Sequence, residues 1–401
     1  MDGLFPHAMV QTLDAMKQAR TVKPGTIALV TNIPTPYRVP LFRELDAMLR
    51  NRGYRLVVVF GGRGYDRRLF KMDPSSFGFE HRFLDGSRLQ RKDVERTSFL
   101  FRGLGKELRQ LRPDAVIVSG FSFAALKVLL SGRPFIVWNG SVEGEYRREG
   151  RLKRAFRKLL ARQASAFVAY GTAAKSYLTG LGVKEEKVFI GINTVDTAFF
   201  SRETEKQRQV IRRSSVRRLL TVSYLTPRKE IIRLLQTALE LSRLRRDFVV
   251  EIVGEGSERE RLEAFVKEHG LQEQVVFSGY LQREDLPARM AAADLFLFQT
   301  GFDIWGLTVN EAMAAGLPVC CTPHAGCASD LVHEGETGFM VDYADAVSAA
   351  KKIHALLQQQ EMTERIGAAA ASYIGRMATL ETSAQGFLRA VRHVVGNRKA
   401  E

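Results

Sequence analysis

The stretch Gly301-Phe302-Asp303-Ile304-Trp305-Gly306-Leu307-Thr308-Val309-Asn310-Glu311, running on to Gly316, Leu317 and Pro318, constrains this chain more than any other. It follows an apolar run, 295–298, that suits a buried parallel strand, and it leads into a short helix that Gly316 and Pro318 stop. A strand, loop, helix and strand in that order belong to an open α/β sheet. Ligands of such sheets sit at the carboxyl ends of the strands, and free amides at a helix N-terminus attract anions. The loop 303–308 is therefore predicted to face a phosphate-bearing ligand. Asp303 lies just before the helix and Glu311 about one turn inside it, so both carboxylates aim at one end of the element. Carboxylates repel phosphate but accept hydrogen bonds from hydroxyls, which suits a sugar ring and a ribose. The helix dipole also favours acidic residues near a helix start by about 0.3–1 kcal/mol each, so the spacing alone leaves purely local stabilisation open.

The remaining chain alternates in the same way. Strands are predicted at 27–31, 56–60, 115–118, 135–138, 166–169 and 188–192, with helices at 39–49, 99–111 and 121–130. Between the second and third strands, 61–97 reads as long, irregular and basic, with Arg63, Arg67, Arg68, Lys71, Arg88, Arg91 and Lys92 among Tyr65, Leu69, Phe70 and Phe83. Leu152, Ala155, Phe156, Leu159, Leu160 and Gln163 trace a helical stripe predicted to pack on the sheet. Arg147, Arg148, Arg151, Lys153, Arg154, Arg157, Lys158 and Arg162 crowd the remainder as a solvated or membrane-facing surface. Residues 202–218 are polar, without apolar period, and read as a linker. A second set of strands follows at 218–223, 248–253, 275–277, 295–298, 319–322 and 339–341, with helices near 232–243, 257–268, 283–291 and 307–315 and a terminal helix over 378–395.

With 401 residues and 45% apolar content the chain can bury two substantial cores. Asp2, Asp14 and Lys17 break the first 24 residues, which predicts a poorly ordered leader and not a signal peptide. The longest apolar stretch, 115–126, is interrupted by Ser119, Gly120 and Ser122, and it falls short of the roughly 20 residues that a membrane span needs. Cys320, Cys321 and Cys327 lack the paired spacing of a zinc site and fit a reducing cytosol. The net charge of +16 lies wholly in residues 1–200, which hold 34 Lys and Arg against 18 Asp and Glu, while 201–401 balance at 26 each. Such asymmetry points the first half at something anionic: a membrane surface, a phosphate-bearing acceptor or nucleic acid. Against nucleic acid, the basic residues are spread over loops and helices and do not interleave with aromatics on one strand.

Asp303 through Glu311 resembles the carboxylate, seven residues, carboxylate signature of retaining glycosyltransferases of family 4, the glycosyl transferases group 1. Gly326 with Asp330, the segment 335–338, Asn193-Thr194-Val195-Asp196 and Lys229 resemble further family segments, so the likeness covers 26–345. It implies the GT-B fold: two doubly wound Rossmann-like domains facing a central cleft. The first, acceptor-side domain spans 25–203, the second, nucleotide-sugar-binding domain spans 204–379, and a terminal helix, about 380–401, crosses back to the first. The resemblance implies that Glu311 binds the donor ribose, that Asp303 binds the donor sugar hydroxyls and that Lys229, helped by Arg228, neutralises the diphosphate. It places backbone at Gly306, Leu307 and Thr308 on the phosphates, and Gly279 and Tyr280 at the base. Asn32, Tyr37, Arg38 and Asn139 become acceptor or cleft residues. Several positions depart from the family: Tyr224 stands for arginine, Glu230 for glycine, Asn139 for histidine and Asp303 for the usual glutamate, and Pro34 and Pro36 replace the paired glycines that many members carry in the first loop.

The activity so implied is metal-independent, retaining hexosyl transfer without a cofactor, from a nucleotide-diphosphate sugar to an anionic, lipid-linked or cell-surface glycan. The enzyme is then expected in the cytoplasm, with possible peripheral contact on the inner face of the plasma membrane. No Asp-x-Asp pair occurs, which argues against the metal-dependent alternative fold. The competing readings are a nucleotide-sugar 2-epimerase on the same fold, a basic nucleic-acid-binding protein and a catalytically silent scaffold.

Overall fold

The computed structural model describes residues 24–64, 70, 72–85, 88–90, 97–143, 150–211 and 215–398. The predicted leader, most of the basic residues of the 61–97 loop, and Arg147 and Arg148 lie outside the described residues. The strands of the first half are β1 (Gly25–Thr31), β2 (Tyr54–Phe60), β3 (Glu80–Phe83), β4 (Arg88–Gln90), β5 (Thr97–Phe99), β6 (Ala115–Ser119), β7 (Phe135–Asn139), β8 (Ala166–Ala169) and β9 (Val188–Ile190). Seven of them make one sheet in the order β3-β2-β1-β6-β7-β8-β9, and β4 with β5 forms a separate antiparallel ribbon. The second half carries β10 (Arg217–Val222), β11 (Phe248–Val253), β12 (Val275–Gly279), β13 (Leu295–Phe298), β14 (Val319–Cys321) and β15 (Phe339–Met340), ordered β12-β11-β10-β13-β14-β15. Both sheets are parallel and doubly wound, as predicted.

Each parallel sheet is covered by helices on both faces, so its central strands need apolar side chains on both sides. Ile27 to Val30 of β1, Leu56 to Phe60 of β2 and Leu295 to Phe298 of β13 are accordingly all buried. The strand order reverses between β1 and β6 in the first sheet and between β10 and β13 in the second, and ligands bind at such switch points. The loops leaving β1, β10 and β13 meet across the cleft. The terminal helix Leu380–Arg398 packs on β7, β8, β9 and the helix Val39–Arg50, which returns the chain to the first half.

Four local expectations are corrected. Within the supposedly irregular 61–97, β3 joins the sheet edge beside β2. An edge strand needs no apolar run: Arg82 meets Glu107 at 2.7 Å, and Phe83 stacks on Phe60 with ring centroids 5.4 Å apart. The helix predicted to start at Phe99 starts at Leu104, because Phe99 closes the ribbon, Phe101 sits at φ 47° and Gly103 at φ 83°. The helix Arg151–Gln163 does not bury its apolar stripe, since Leu152 is 88% and Leu159 48% exposed while Arg157, Leu160 and Ala161 are buried. Arg157 turns inward because Tyr177 Oη accepts its Nη1 at 3.1 Å, and its long stem packs as an apolar residue would. Finally, the polar linker begins as the second half of a helix, Thr197–Arg208. The Asp196 carboxylate caps this helix by accepting from Phe199 N at 3.1 Å, and Phe200 and Thr204 give it a narrow buried face.

Candidate active site

A cleft of about 810 Å³ opens between the two sheets. Its second-half wall is built on the loop and helix after β13. Gly306 holds φ at 109°, and a Cβ there would lie 2.7 Å from the Phe298 ring, so only glycine turns the chain into the helix Leu307–Ala314 at this point. The first amides of that helix, Leu307 and Thr308, have no acceptor within the helix and line the cleft. The preceding loop is tied down by the crossing segment 325–327: Gly326 N donates to Asp303 O at 2.9 Å and Cys327 N to Trp305 O at 3.1 Å. A Cβ at Gly326 would stand 2.2 Å from Ile304 O, which explains a glycine at this crossing.

Asp303 and Lys229 form a direct ion pair on this wall, with Arg228 Nη1 3.7 Å from the same carboxylate oxygen. Burial pushes the Asp303 carboxyl up, but the two cations and the Trp305 amide, 3.2 Å from Oδ1, hold it below the usual carboxylate range. Glu311 is the opposite case. Its Oε2 is shielded from solvent without a hydrogen-bond partner, and burial pushes its pKa up to about 8 against only a modest pull from Arg283. A shielded acceptor without a donor is costly, and it marks a place where ligand hydroxyls would be stabilised.

Of the residues named from sequence, Arg228, Lys229, Tyr280, Asp303, Gly306, Leu307, Thr308 and Glu311 line the cleft from the second half, and Tyr37 and Arg38 from the first. Three do not. Gly279 sits behind Tyr280 at φ 70°, with its carbonyl accepting from Gly254 N at 2.8 Å. Asn32 is exposed outside the lining, and Asn139 is 1% exposed, its Nδ2 reaching Ser141 O at 3.4 Å. Asn139 is the last residue of β7, and its side chain is buried.

Sequence reasoning missed Arg283, a cleft-lining residue whose Nη2 lies 3.2 Å from Asp196 and whose guanidinium carbon lies 4.0 Å from the Phe199 ring centre. It read Arg283 only as a helix start, and nothing local signals a partner so distant in the chain. It also missed how Asp330 joins the two halves. That carboxylate accepts from Thr172 N at 3.0 and 3.1 Å and from Thr172 Oγ1 at 3.0 Å, at the N-terminus of the first-half helix Thr172–Gly180. A second tie runs from Trp305 Nε1 to Asn310 Oδ1 at 2.9 Å and from Asn310 Nδ2 to Asn193 O at 3.2 Å. The geometry at Glu230 shows why a glycine would suit this position and leaves the glutamate without a structural explanation. The position holds φ at 47°, a conformation natural to glycine and strained for glutamate.

Two doubly wound sheets with a nucleotide-sized cleft between their switch points define the GT-B architecture. Residues 202–373 match the family description "Glycosyl transferases group 1", and residues 41–199 match "Glycosyltransferase Family 4". The chain belongs to this glycosyltransferase family. Among curated relatives it is 33% identical over 158 residues to a GDP-mannose-dependent alpha-(1-6)-phosphatidylinositol monomannoside mannosyltransferase of Mycolicibacterium smegmatis, covering 38% of this chain and 41% of the relative. To the sulfoquinovosyl transferase SQD2 of Arabidopsis thaliana it is 35% identical over 124 residues, 30% of this chain and 23% of the relative. The matched part therefore spans about two fifths or less of these relatives' length. In fold the chain is similar to Anabaena HepE in complex with UDP (TM-score 0.72, 19% identity, 92% of this chain and 99% of that one). It is likewise similar to a sucrose-phosphate synthase of Thermosynechococcus elongatus (TM-score 0.73, 17% identity, 93% and 100%).

Proposed function

We propose that the protein is a retaining, metal-independent hexosyltransferase that moves a sugar from a nucleoside diphosphate to an anionic, lipid-linked or cell-surface glycan intermediate. The observation that carries this reading is the pairing of Asp303 with Lys229 beside a shielded, partnerless Glu311 at a helix N-terminus. Glu311 takes the ribose diol, Asp303 the donor sugar hydroxyls, and the Leu307 and Thr308 amides the diphosphate. In the transfer step the bond from sugar C1 to the diphosphate oxygen breaks, and the acceptor oxygen bonds C1 on the same face. The acceptor proton passes to the departing phosphate. Lys229 and Arg228 stabilise the charge gathering on that phosphate, so positioning and electrostatics suffice. Because these cations stand where a metal would otherwise act, a chelator is expected to leave turnover unchanged. Loss of activity in chelator, restored by a divalent ion, would contradict this.

Peripheral docking on an anionic membrane is supported by the first half. Leu152 and Leu159 on the helix Arg151–Gln163, and Phe123 (51% exposed) and Leu130 (77%) on the touching helix Phe123–Leu130, are exposed beside Arg151, Lys153, Arg154, Lys158 and Arg162. Apolar side chains that enter the interface, ringed by bases worth about 1 kcal/mol each near anionic lipid, suit a cytoplasmic leaflet. Among the described residues no helix is long and apolar enough to cross a membrane. Sedimentation with anionic and neutral vesicles at low and high salt tests this. Salt-sensitive binding to anionic vesicles alone is expected, and equal binding to both, or none, contradicts it.

The transfer itself is tested by a panel of nucleotide sugars, scored for thermal stabilisation and then for turnover with the donor alone. One donor should stabilise the protein, with little turnover until an acceptor is added. Rapid release of epimerised or free sugar from donor alone would favour the 2-epimerase, and no response to any donor would favour a silent scaffold.

A further inference from the structure

The cleft wall contributed by the first half carries a cation with no counter-charge among the described residues. Arg38 Nη2 donates to Tyr170 Oη at 2.6 Å and Nη1 to Thr31 Oγ1 at 3.3 Å, while the guanidinium carbon lies 4.3 Å from the centre of the Trp138 ring. Tyr170 and Trp138 are themselves buried and pack together at 5.5 Å, so the guanidinium is held by a rigid platform of neutral groups. Its Nε is shielded from solvent and has no partner, and among the described residues no carboxylate pairs with Arg38. Of the other cleft cations three face carboxylates, while Arg43, like Arg38, meets neutral acceptors, in its case backbone carbonyls. Lys229 and Arg228 face Asp303, Arg283 faces Asp196, and Arg43 Nε donates to Phe77 O at 2.8 Å. A partly desolvated cation fixed among neutral groups is costly by itself, and an incoming anion repays that cost.

The surroundings say more about that anion. Pro36, Tyr37, Pro40 and Met72 line the same side of the cleft, together with Arg43, Asp73 and Ser76, and the Tyr37 ring centre lies 5.9 Å from the guanidinium carbon. A planar guanidinium pairs well with phosphate oxygens, and apolar side chains on the same side suit a hydrocarbon chain. We propose that Arg38 receives a phosphate ester on the acceptor, with the acceptor's apolar chain lying along Pro36, Tyr37, Pro40 and Met72. This rests on the transferase reading, which supplies a second substrate to occupy the wall. The phosphate could instead come from the donor, so the experiment separates the two sources.

Wild type, Arg38→Gln and Arg38→Lys are titrated calorimetrically with geranyl phosphate, geraniol, UDP and GDP, the lipid probes both with and without nucleotide. Geranyl phosphate is expected to bind wild type, about tenfold or more weaker in Arg38→Gln, with Arg38→Lys between them, since a charge-assisted hydrogen bond is lost. Geraniol should bind far more weakly, and nucleotide affinity should be the same in all three proteins, which also reports an intact fold. The proposal is overturned if geranyl phosphate fails to bind wild type, binds Arg38→Gln equally well, or is matched by geraniol. It is also overturned if nucleotide affinity drops tenfold in Arg38→Gln, which would assign the guanidinium to the donor. Failure of both UDP and GDP to bind wild type would count against the transferase reading alone, because the titrations without nucleotide still measure Arg38.

Discussion

The two walls of the cleft share one strand order and differ in their electrostatics. On the second-half wall the cations Lys229 and Arg228 share one carboxylate, Asp303, and Glu311 Oε2 is an acceptor left without a partner. On the first-half wall, among the described residues, Arg38 is a cation without a carboxylate partner, set on an aromatic platform. An internally paired wall can exchange partners with a ligand that brings both hydroxyls and phosphate. A wall with an uncompensated cation and apolar lining waits for a different molecule, anionic and partly apolar. One fold used twice thus presents two kinds of substrate surface, and the difference lies in the loops that leave β1, β10 and β13.

The largest effects are expected on the paired wall. Lys229→Ala should lower turnover by about tenfold or more with the fold retained, because it removes transition-state charge stabilisation and leaves Asp303 without its nearest cation. Wild-type rates in this variant, measured with the stabilising donor, would break the assignment of this wall. Asp303→Asn should also impair transfer, and Asp303→Glu should be the mildest change there. Full activity of the Asn variant would reduce Asp303 to a helix-start residue.

A smaller effect is expected where the walls join. Asp330→Ala removes three hydrogen bonds to Thr172. It should raise KM more than it lowers kcat, since it loosens closure without touching the donor. An unchanged KM would show that the contact does not govern closure.

Glu311 gives an effect on stability. Its folded pKa of about 8 lies above the unfolded value, so between roughly pH 4 and pH 8 the folded protein binds more protons than the unfolded chain. Stability contributed by neutral Glu311 is therefore full below about pH 4 and is lost as pH rises to about 8. Glu311→Gln cannot ionise, so its Tm should exceed that of wild type at high pH by roughly 2–4 °C, and the gap should close toward acid. A gap independent of pH would contradict the burial of an ionisable carboxyl here. The smallest change is expected for Glu230→Gly, which relieves a left-handed glutamate but gives up its ion pair with Arg233 at 2.8 Å. The two terms oppose, and Tm should move by no more than a few degrees.

The sequence disclosed most where one short segment carries the whole pattern. The central strands were legible because burial on both faces demands unbroken apolar runs, and Asp303 with Glu311 because both sit on one loop-and-helix unit. The strand β3 was hidden by its place at the sheet edge, where polar residues such as His81 and Arg82 are tolerated. The inward turn of Arg157 depended on Tyr177, a partner on another helix. The roles of Arg283 and Asp330 rest on Asp196 and Thr172, contacts made only when distant segments are brought together by the fold. Asn139 was legible as a position at the end of a strand, but not as a buried side chain outside the cleft lining.

The central claim is that the second-half wall, with Glu311 at its focus, holds a nucleoside diphosphate. Calorimetric titration of UDP and GDP into wild type and Glu311→Ala tests it most directly. One nucleotide should bind wild type and lose about tenfold or more in affinity in the variant, because the ribose loses its acceptor. Equal affinity in both proteins, or binding of neither nucleotide to wild type, would contradict the claim.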